Sequence, residues 1–470
     1  MDTVIRIAQL IAAFAILIIL HEGGHFAAAK MFKVRVEKFF LFFDAYGVKL
    51  FSTYWGWWRK LIGKKPVAKK EDGTYEYEGT EYGIGWIPLG GYVSIAGMID
   101  ETKDISKLSK EPQPWEFRTK PAWQRLIVML GGIIVNFITA FVIYSCVLLV
   151  NGESYIAPED MTYGMKFNEA AKRDGFEDGD RIVKIDDKKL EKWSVACMRD
   201  LSNAKEATVV RDGEEVVIAM PEEMSMLDMI ESPMYVQERI PMSVDSILPG
   251  SPAEALGLKK GDKITSINGQ EICDFNDVQN ILSALPSTLG KSSIAADTLK
   301  ARHIAIAING RDTTTVLTPE FTLGFTCEIP EYKITTKEYN VLSCIPAGVC
   351  YGWEQLKGYV NDLKYIFTKK GVKSMSGPVG IVQIFPSEWD WTRFWLLTAF
   401  LSIALGVMNV LPIPALDGGH AVMAIWEMIT GRKPSDKFLN KVQTVGFWII
   451  IALFIFITGN DILKLLGINL

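Results

Sequence analysis

The sequence predicts a polytopic α-helical membrane protein with four transmembrane helices and a mixed α/β block between the second and third. Three observations lead there. Apolar runs at about 4–27, 125–150, 393–412 and 443–459 are long enough to cross a hydrocarbon core of about 30 Å. The residues between the second and third runs alternate short apolar strands with glycine-rich turns and contain an internal repeat. The hydrophobic fraction of 49% over 470 residues lies between a soluble enzyme and a pure transporter, so spans plus substantial aqueous domains are expected.

The first span occupies the region 1–30. Ile5–Leu20 is apolar but no small-residue cleavage site follows it, so it reads as a retained helix and not a signal peptide. It runs into His21-Glu22-Gly23-Gly24-His25. On a helix His21 and His25 share one face, and Glu22 lies close enough to reach a metal-bound water. Two of the four histidines are spent here, in a segment where ionisable side chains are costly and kept mainly for function.

Between the first two spans, around the region 31–120, lie Lys30, Lys33, Arg35, Lys38, Arg59, Lys60, Lys64, Lys65, Lys69 and Lys70. Arg432, Lys433, Lys437 and Lys441 mark the loop between the last two spans. Both loops are therefore expected on the cytoplasmic side, with the second span at 121–151 leading to the opposite side. Within the first loop, Tyr82–Ile95 is apolar, glycine-rich and too broken to span, which suggests extended or hairpin structure. Irregular backbone at membrane depth needs protein or a water-filled cavity to satisfy it, so a re-entrant β-loop fits. A buried hairpin in a cytoplasmic loop fits equally well.

The outer block carries its repeat as Ala170-Ala171, Gly175-Phe176, Gly179-Asp180, Ile182 and Ile185, then Ala253, Gly257-Leu258, Gly261-Asp262, Ile264 and Ile267. Each copy continues into a helical stretch and a strand pair closed by Arg211-Asp212-Gly213 or Asn309-Gly310. GSPAEALGLKKGDKITSINGQEI closely resembles a PDZ domain, so two tandem periplasmic PDZ domains are expected at 152–227 and 228–330. PDZ domains bind extended peptides at a sheet edge. From 331 to 392, Val341, Ile345, Val349, Trp353, Leu356, Val360, Leu363 and Phe367 follow helical spacing, which suggests amphipathic helices on a membrane surface or a core helix on the PDZ pair. The six cysteines lack CxxC spacing, giving no redox motif or Cys-type zinc site. A net charge of −5 without a basic stripe argues against nucleic acid.

Two histidines make an incomplete metal site, since catalytic zinc usually takes three protein ligands and keeps one open position. Asp417, His420, His303 and the carboxylates at large are candidates. The third span is followed by Pro412, Pro414 and Asp417-Gly418-Gly419, where a helix cannot continue comfortably; this places Asp417 at a broken helix end within 393–470.

The motifs HEGGHF (21–26), VRVEKF (34–39), IPLGGYV (87–93), FRTKPAWQR (117–125) with Asn136, SGPVGI (376–381) and NVLPIPALDGGH (409–420) resemble, in the same order, the site-2 protease family of intramembrane zinc metalloproteases. The resemblance spans nearly the whole chain and is strongest toward the bacterial branch that regulates the sigma-E envelope stress response. It implies one zinc ion held by His21, His25 and Asp417, with Glu22 as general base. It further implies substrate contacts at Asn409 and Pro414, with Asn136 as a matching position in the second span. Gly85, Gly90 and Gly91 lie in the glycine-rich loop that could offer a strand edge to an unwound substrate. Ile133 stands where the family often has Pro, and the stretch 49–81 is longer than expected. The implied partners are single-span membrane proteins, peptide C-termini at the PDZ domains and the lipid bilayer of the bacterial inner membrane, with the active site toward the cytoplasm. The alternative is an inactive PDZ scaffold, which has no reason to keep His21, Glu22, His25 and Asp417 together. A transporter with a structural metal fits poorly with only four spans and a large outer block.

Overall fold

The computed structural model describes residues 2–61, 68–69, 75–76, 79–88, 90–98, 111–222, 224–288, 295–375 and 377–465. The chain divides into two compact units, one formed by Met1–Gly152 with Glu338–Leu470, the other by Glu153–Lys337.

Among the described residues of the first unit, four helices are long and apolar enough to cross a membrane: Asp2–Met31, Ala122–Asn151, Trp391–Val410 and Lys437–Leu463. With two further helices they are numbered α1 (Asp2–Met31), α2 (Ala122–Asn151), α3 (Val341–Asp362), α4 (Trp391–Val410), α5 (Asp417–Thr430) and α6 (Asp436–Leu465). The central element is α2, which packs against α1, α3, α4 and α5. Its contact with α1 is backbone-close, because a Cβ on Gly24 would overlap the carbonyl of Gly131. Small residues allow this approach where lipid supplies no hydrophobic drive between helices. Gly23, by contrast, faces open space.

A helix starting at Val341 replaces the amphipathic pattern expected from 331, since Ile334–Lys337 is a strand in the other unit, paired with Glu153–Ile156. Asn340 fixes the boundary: its side chain accepts from the backbone N–H of Leu342 and Ser343 in a capping box. The buried side of α3 is the row of small residues Cys344, Gly348, Gly352 and Gly358, with Gly348 and Gly352 against Ser145 and Phe141 of α2. The apolar row Val341, Ile345, Val349, Trp353 and Val360 is instead exposed.

The segment after α1 forms a four-stranded sheet of β1 (Val36–Leu41), β2 (Lys49–Ser52), β3 (Glu81–Gly85) and β4 (Tyr92–Ile95), in the order β2-β3-β1-β4. Extended structure over 82–95 is thus present, but β3 and β4 do not pair as a hairpin. They flank β1, with β3 parallel and β4 antiparallel to it. Part of the long stretch 49–81 supplies β2 and a short helix, Gly56–Leu61; residues 62–67, 70–74 and 77–78 lie outside the described residues.

The second unit contains two four-stranded sheets, one from Arg181–Ile185, Lys188–Lys189, Glu206–Arg211 and Glu214–Ala219, the other from Ile264–Ile267, Gln270–Glu271, His303–Ile308 and Arg311–Val316. The two sheets have the same strand order, as the sequence repeat suggests. Their outer hairpins turn through Asp212-Gly213 and Asn309-Gly310, all four at positive φ, as a two-residue type I′ turn demands. Separate apolar clusters fill the halves, one around Phe167, Phe176 and Leu201, the other around Val244, Ile264 and Leu317. His303 is exposed on its strand. All six cysteines are free.

Candidate metal centre

His21 and His25 lie one helical turn apart on the buried face of α1. Their Nε2 atoms are 3.2 Å apart, and each lies 3.2 Å from Oδ2 of Asp417. Asp417 opens α5 after an irregular passage at 411–416, where Pro412 and Pro414 have ended α4 at Val410. Ala415 adopts φ +66° there, a conformation that costs a non-glycine residue about 1–3 kcal/mol and tends to cluster at functional sites. The first helical turn suits an anionic carboxylate, because unpaired backbone N–H groups point the same way.

The other ring nitrogens are also held. His25 Nδ1 lies 2.8 Å from the Val128 carbonyl oxygen, which can only accept. The neutral His25 ring therefore carries its proton on Nδ1 and turns the Nε2 lone pair toward Asp417. His21 Nδ1 lies 3.0 Å from the side-chain amide of Asn136, a fully buried residue of α2 whose Oδ1 has no partner. Turning that amide over would offer Oδ1 to an Nδ1–H, again leaving Nε2 for a cation. Three electron-rich atoms converge with their backing hydrogen bonds in place, so the residues fit a divalent metal of the zinc type. Among the described residues this is the one group of three or more His, Cys, Asp or Glu that could hold a metal.

The space in front of the cluster is a cavity of about 210 Å³. Glu22, Gly91, Tyr92, Val93, Met129, Ala415, His420 and Gln443 help to line it. Glu22 shares the cavity lining with Tyr92, Val93 and Ile95 of β4, an edge strand of the sheet. Gly132 of α2 backs the histidines so closely that a Cβ would overlap Nε2 of His25 and the ring of His21.

The residues singled out from sequence sort into three groups. His21, Glu22, His25, Asp417 and Gly91 meet at the cavity. Asn136 and Asn409 lie behind it, both turned to His21, with Asn409 Nδ2 3.4 Å from His21 Nε2. Gly85, Gly90 and Pro414 are not in the cavity wall. Gly85 and Gly90 pack on Phe43, and Pro414 packs on Gly446 of α6. His420, one of the alternatives for the third ligand, lines the cavity but is not in the cluster. Gln443 is the residue the sequence reading overlooked; a polar side chain at the start of an apolar span was its signal.

A family model described as Peptidase family M50 matches residues 9–57 and 71–453. The chain belongs to peptidase family M50. That family is the site-2 protease family, so the chain is a zinc metalloendopeptidase, with zinc as its cofactor. The chain is 25% identical over 491 residues to the regulator of sigma E protease of Haemophilus influenzae, covering 98% of this chain and 99% of that one. It is 26% identical over 499 residues to protease RseP of Yersinia pestis, covering 98% of each. A Xylella fastidiosa protein bearing a zinc metalloprotease name matches at 26% over 483 residues, covering 98% of this chain and 99% of that one.

Proposed function

We propose that this M50 peptidase cleaves single-span membrane proteins within the bilayer, using a metal held by His21, His25 and Asp417 and Glu22 as general base. The observation that carries this reading is the convergence of Nε2 of His21, Nε2 of His25 and Oδ2 of Asp417 in a cavity that Glu22 also lines, on helices of membrane length. Bound zinc would supply Lewis acidity, polarising a carbonyl and lowering the pKa of a water toward about 7. Glu22 takes the water's proton and later returns it to the departing amine.

A helical substrate must unwind before its backbone can reach the cavity, and unmade hydrogen bonds in lipid cost several kcal/mol. The edge strand β4 borders the cavity and offers backbone groups that can re-pair an extended segment. Asn409 would help to hold that segment from the opposite side. Gly85, Gly90, Pro414 and Asn136 then act by shaping the surrounding walls.

The repeated sheets of the second unit would serve as PDZ modules that recognise a C-terminus exposed by an earlier cut, or filter substrates by size. Their place is periplasmic, with the active site toward the cytoplasmic side of the bacterial inner membrane, following the Lys and Arg bias. The exposed apolar row of α3 suits a membrane surface. Cleavage of a transmembrane anti-sigma factor in envelope stress signalling fits this arrangement.

Incubating the purified chain with a model single-span substrate in detergent, with and without a chelator, tests the reading. Metal-dependent cleavage that disappears in Glu22→Gln, with near-stoichiometric zinc retained by that variant, is expected. A Glu22→Gln protein that has lost its metal would sink the role given to Glu22.

A further inference from the structure

An extended segment carries hydrogen-bonding groups along both of its edges. If one edge pairs with β4, the groups on the other still need partners, and lipid supplies none. Such partners must come from the remaining wall of the cavity.

Ala415 and Leu416 form part of that wall, whereas Ile413 and Pro414 do not line it. These four residues make a turn, closed by a hydrogen bond of 2.9 Å from the Leu416 N–H to the Ile413 carbonyl. Proline holds its own φ at about −65° in the second position, and Ala415 has φ +66° in the third, which together define a type II turn. Glycine is the usual occupant of that third position. Here an alanine is held in a conformation that its Cβ disfavours, and such conformations persist only where the surroundings enforce them, often at ligand-binding sites.

Two helices enforce this one. The start of α5 packs against the turn, since a Cβ on Gly419 would come 2.8 Å from the Ile413 carbonyl oxygen and 2.9 Å from Cα of Pro414. On α6, a Cβ on Gly446 would overlap the Pro414 carbonyl. The peptide joining Pro414 to Ala415 is trans, so its oxygen and its N–H lie on opposite edges, and α6 covers the oxygen. Among the described residues neither the N–H nor the C=O of Ala415 has a hydrogen-bond partner. The turn thus carries an unpaired main-chain donor on a residue that lines the same cavity as the metal-binding cluster.

We propose that the Ala415 N–H donates a hydrogen bond to a main-chain carbonyl of the extended substrate segment, which makes the Ile413–Leu416 turn a second docking point for backbone besides β4. What it recognises is polypeptide main chain, independent of side-chain identity. The assignment rests on the peptidase reading above and adds a substrate-binding residue to it.

The test uses the full zinc-loaded chain in detergent, with Ala415 replaced by lactic acid through nonsense suppression. An ester oxygen then stands where the N–H was, and the methyl group is kept. Zinc content and kcat/KM on the single-span substrate are measured, together with affinity for two inhibitors. Acetohydroxamate reaches only the metal, whereas a peptidyl hydroxamate also lays backbone along the cavity. In the ester variant zinc and acetohydroxamate binding should be retained. Peptidyl hydroxamate affinity and kcat/KM should each fall by about 5- to 100-fold, the range for leaving one buried carbonyl without its partner. Ala415→Gly, which keeps the donor and suits a positive φ, should lose less of both than the ester. Equal peptidyl hydroxamate affinity in wild type and ester would overturn the assignment. Zinc loss, or an equal fall in acetohydroxamate affinity, would also overturn it, because the turn would then act through the metal site. A wild-type chain that holds zinc, cleaves nothing and binds the peptidyl hydroxamate no more tightly than acetohydroxamate would overturn the peptidase reading and this assignment with it.

Discussion

Nε2 of His25 and Oδ2 of Asp417 lie 3.2 Å apart although 392 positions separate them in the chain. Neither residue holds a metal alone, so the site exists only where α1 and the start of α5 are brought together. Both helices achieve this by packing on α2. The centre is therefore sensitive to changes on α2 that touch no metal.

Gly132 is the first such position. A Cβ there overlaps the rings of both histidines, whereas one at Gly23 meets nothing within 4 Å. Gly132→Val should lower zinc affinity by about 10-fold or more, on the scale of other changes that misorient metal ligands. Gly23→Ala should leave zinc affinity near wild type. Titration with zinc against a competing chelator measures both.

Asn136 is the second. It is fully buried and its amide holds His21 at Nδ1. Asn136→Leu removes that partner and should weaken zinc binding by about 10- to 100-fold while α1 and α2 stay packed. Far-ultraviolet circular dichroism and metal titration on the same sample separate the two effects.

The strand edge gives a third prediction. A proline within β4 should cut turnover far more than zinc occupancy, because it removes a backbone donor without touching the ligands. Turnover and metal content measured on Val93→Pro, whose backbone N–H faces away from β1, would count against strand pairing if both fell equally.

The second unit carries a buried charge cluster that gives a fourth. Lys166 lies 2.9 Å from Asp178, 2.9 Å from Asp274 and 2.8 Å from Asp277. Burial alone would lower the Lys166 pKa, but the three carboxylates outweigh it and raise it. Burial likewise opposes the charged forms of Asp178 and Asp277, yet Lys166 and backbone N–H groups hold both below the usual carboxylate range. A depressed folded-state pKa contributes stability above the unfolded value of about 3.9 and loses it as pH falls through the folded value. Hydrogen-exchange protection of 153–337 in the full chain should thus drop as pH is lowered from about 5 toward 3. Lys166→Met should cost about 3–5 kcal/mol, because it leaves buried carboxylates short of a partner.

Much of the site is legible in the sequence because its chemistry is local. HExxH places two candidate ligands one turn apart, and Pro412 and Pro414 announce the helix break that brings Asp417 beside them. The β region is less legible. The glycine-broken apolar run 82–95 reads as extended or hairpin structure but cannot reveal that Val36–Leu41 inserts between Glu81–Gly85 and Tyr92–Ile95, since register and neighbour choice are tertiary facts. Asn136 looks like any polar residue in a span until its contact with His21 is seen. The positive φ of Ala415 and the reach of Gln443 to His420 depend on packing between helices far apart in the chain.

The split centre is tested most directly by zinc X-ray absorption on the wild-type chain and on Asp417→Cys. The account predicts a shell of two imidazole nitrogens with oxygen in the wild type, and a sulfur scatterer at about 2.3 Å in the variant. The same nitrogen and oxygen shell in both proteins, with no sulfur in the variant, would contradict it.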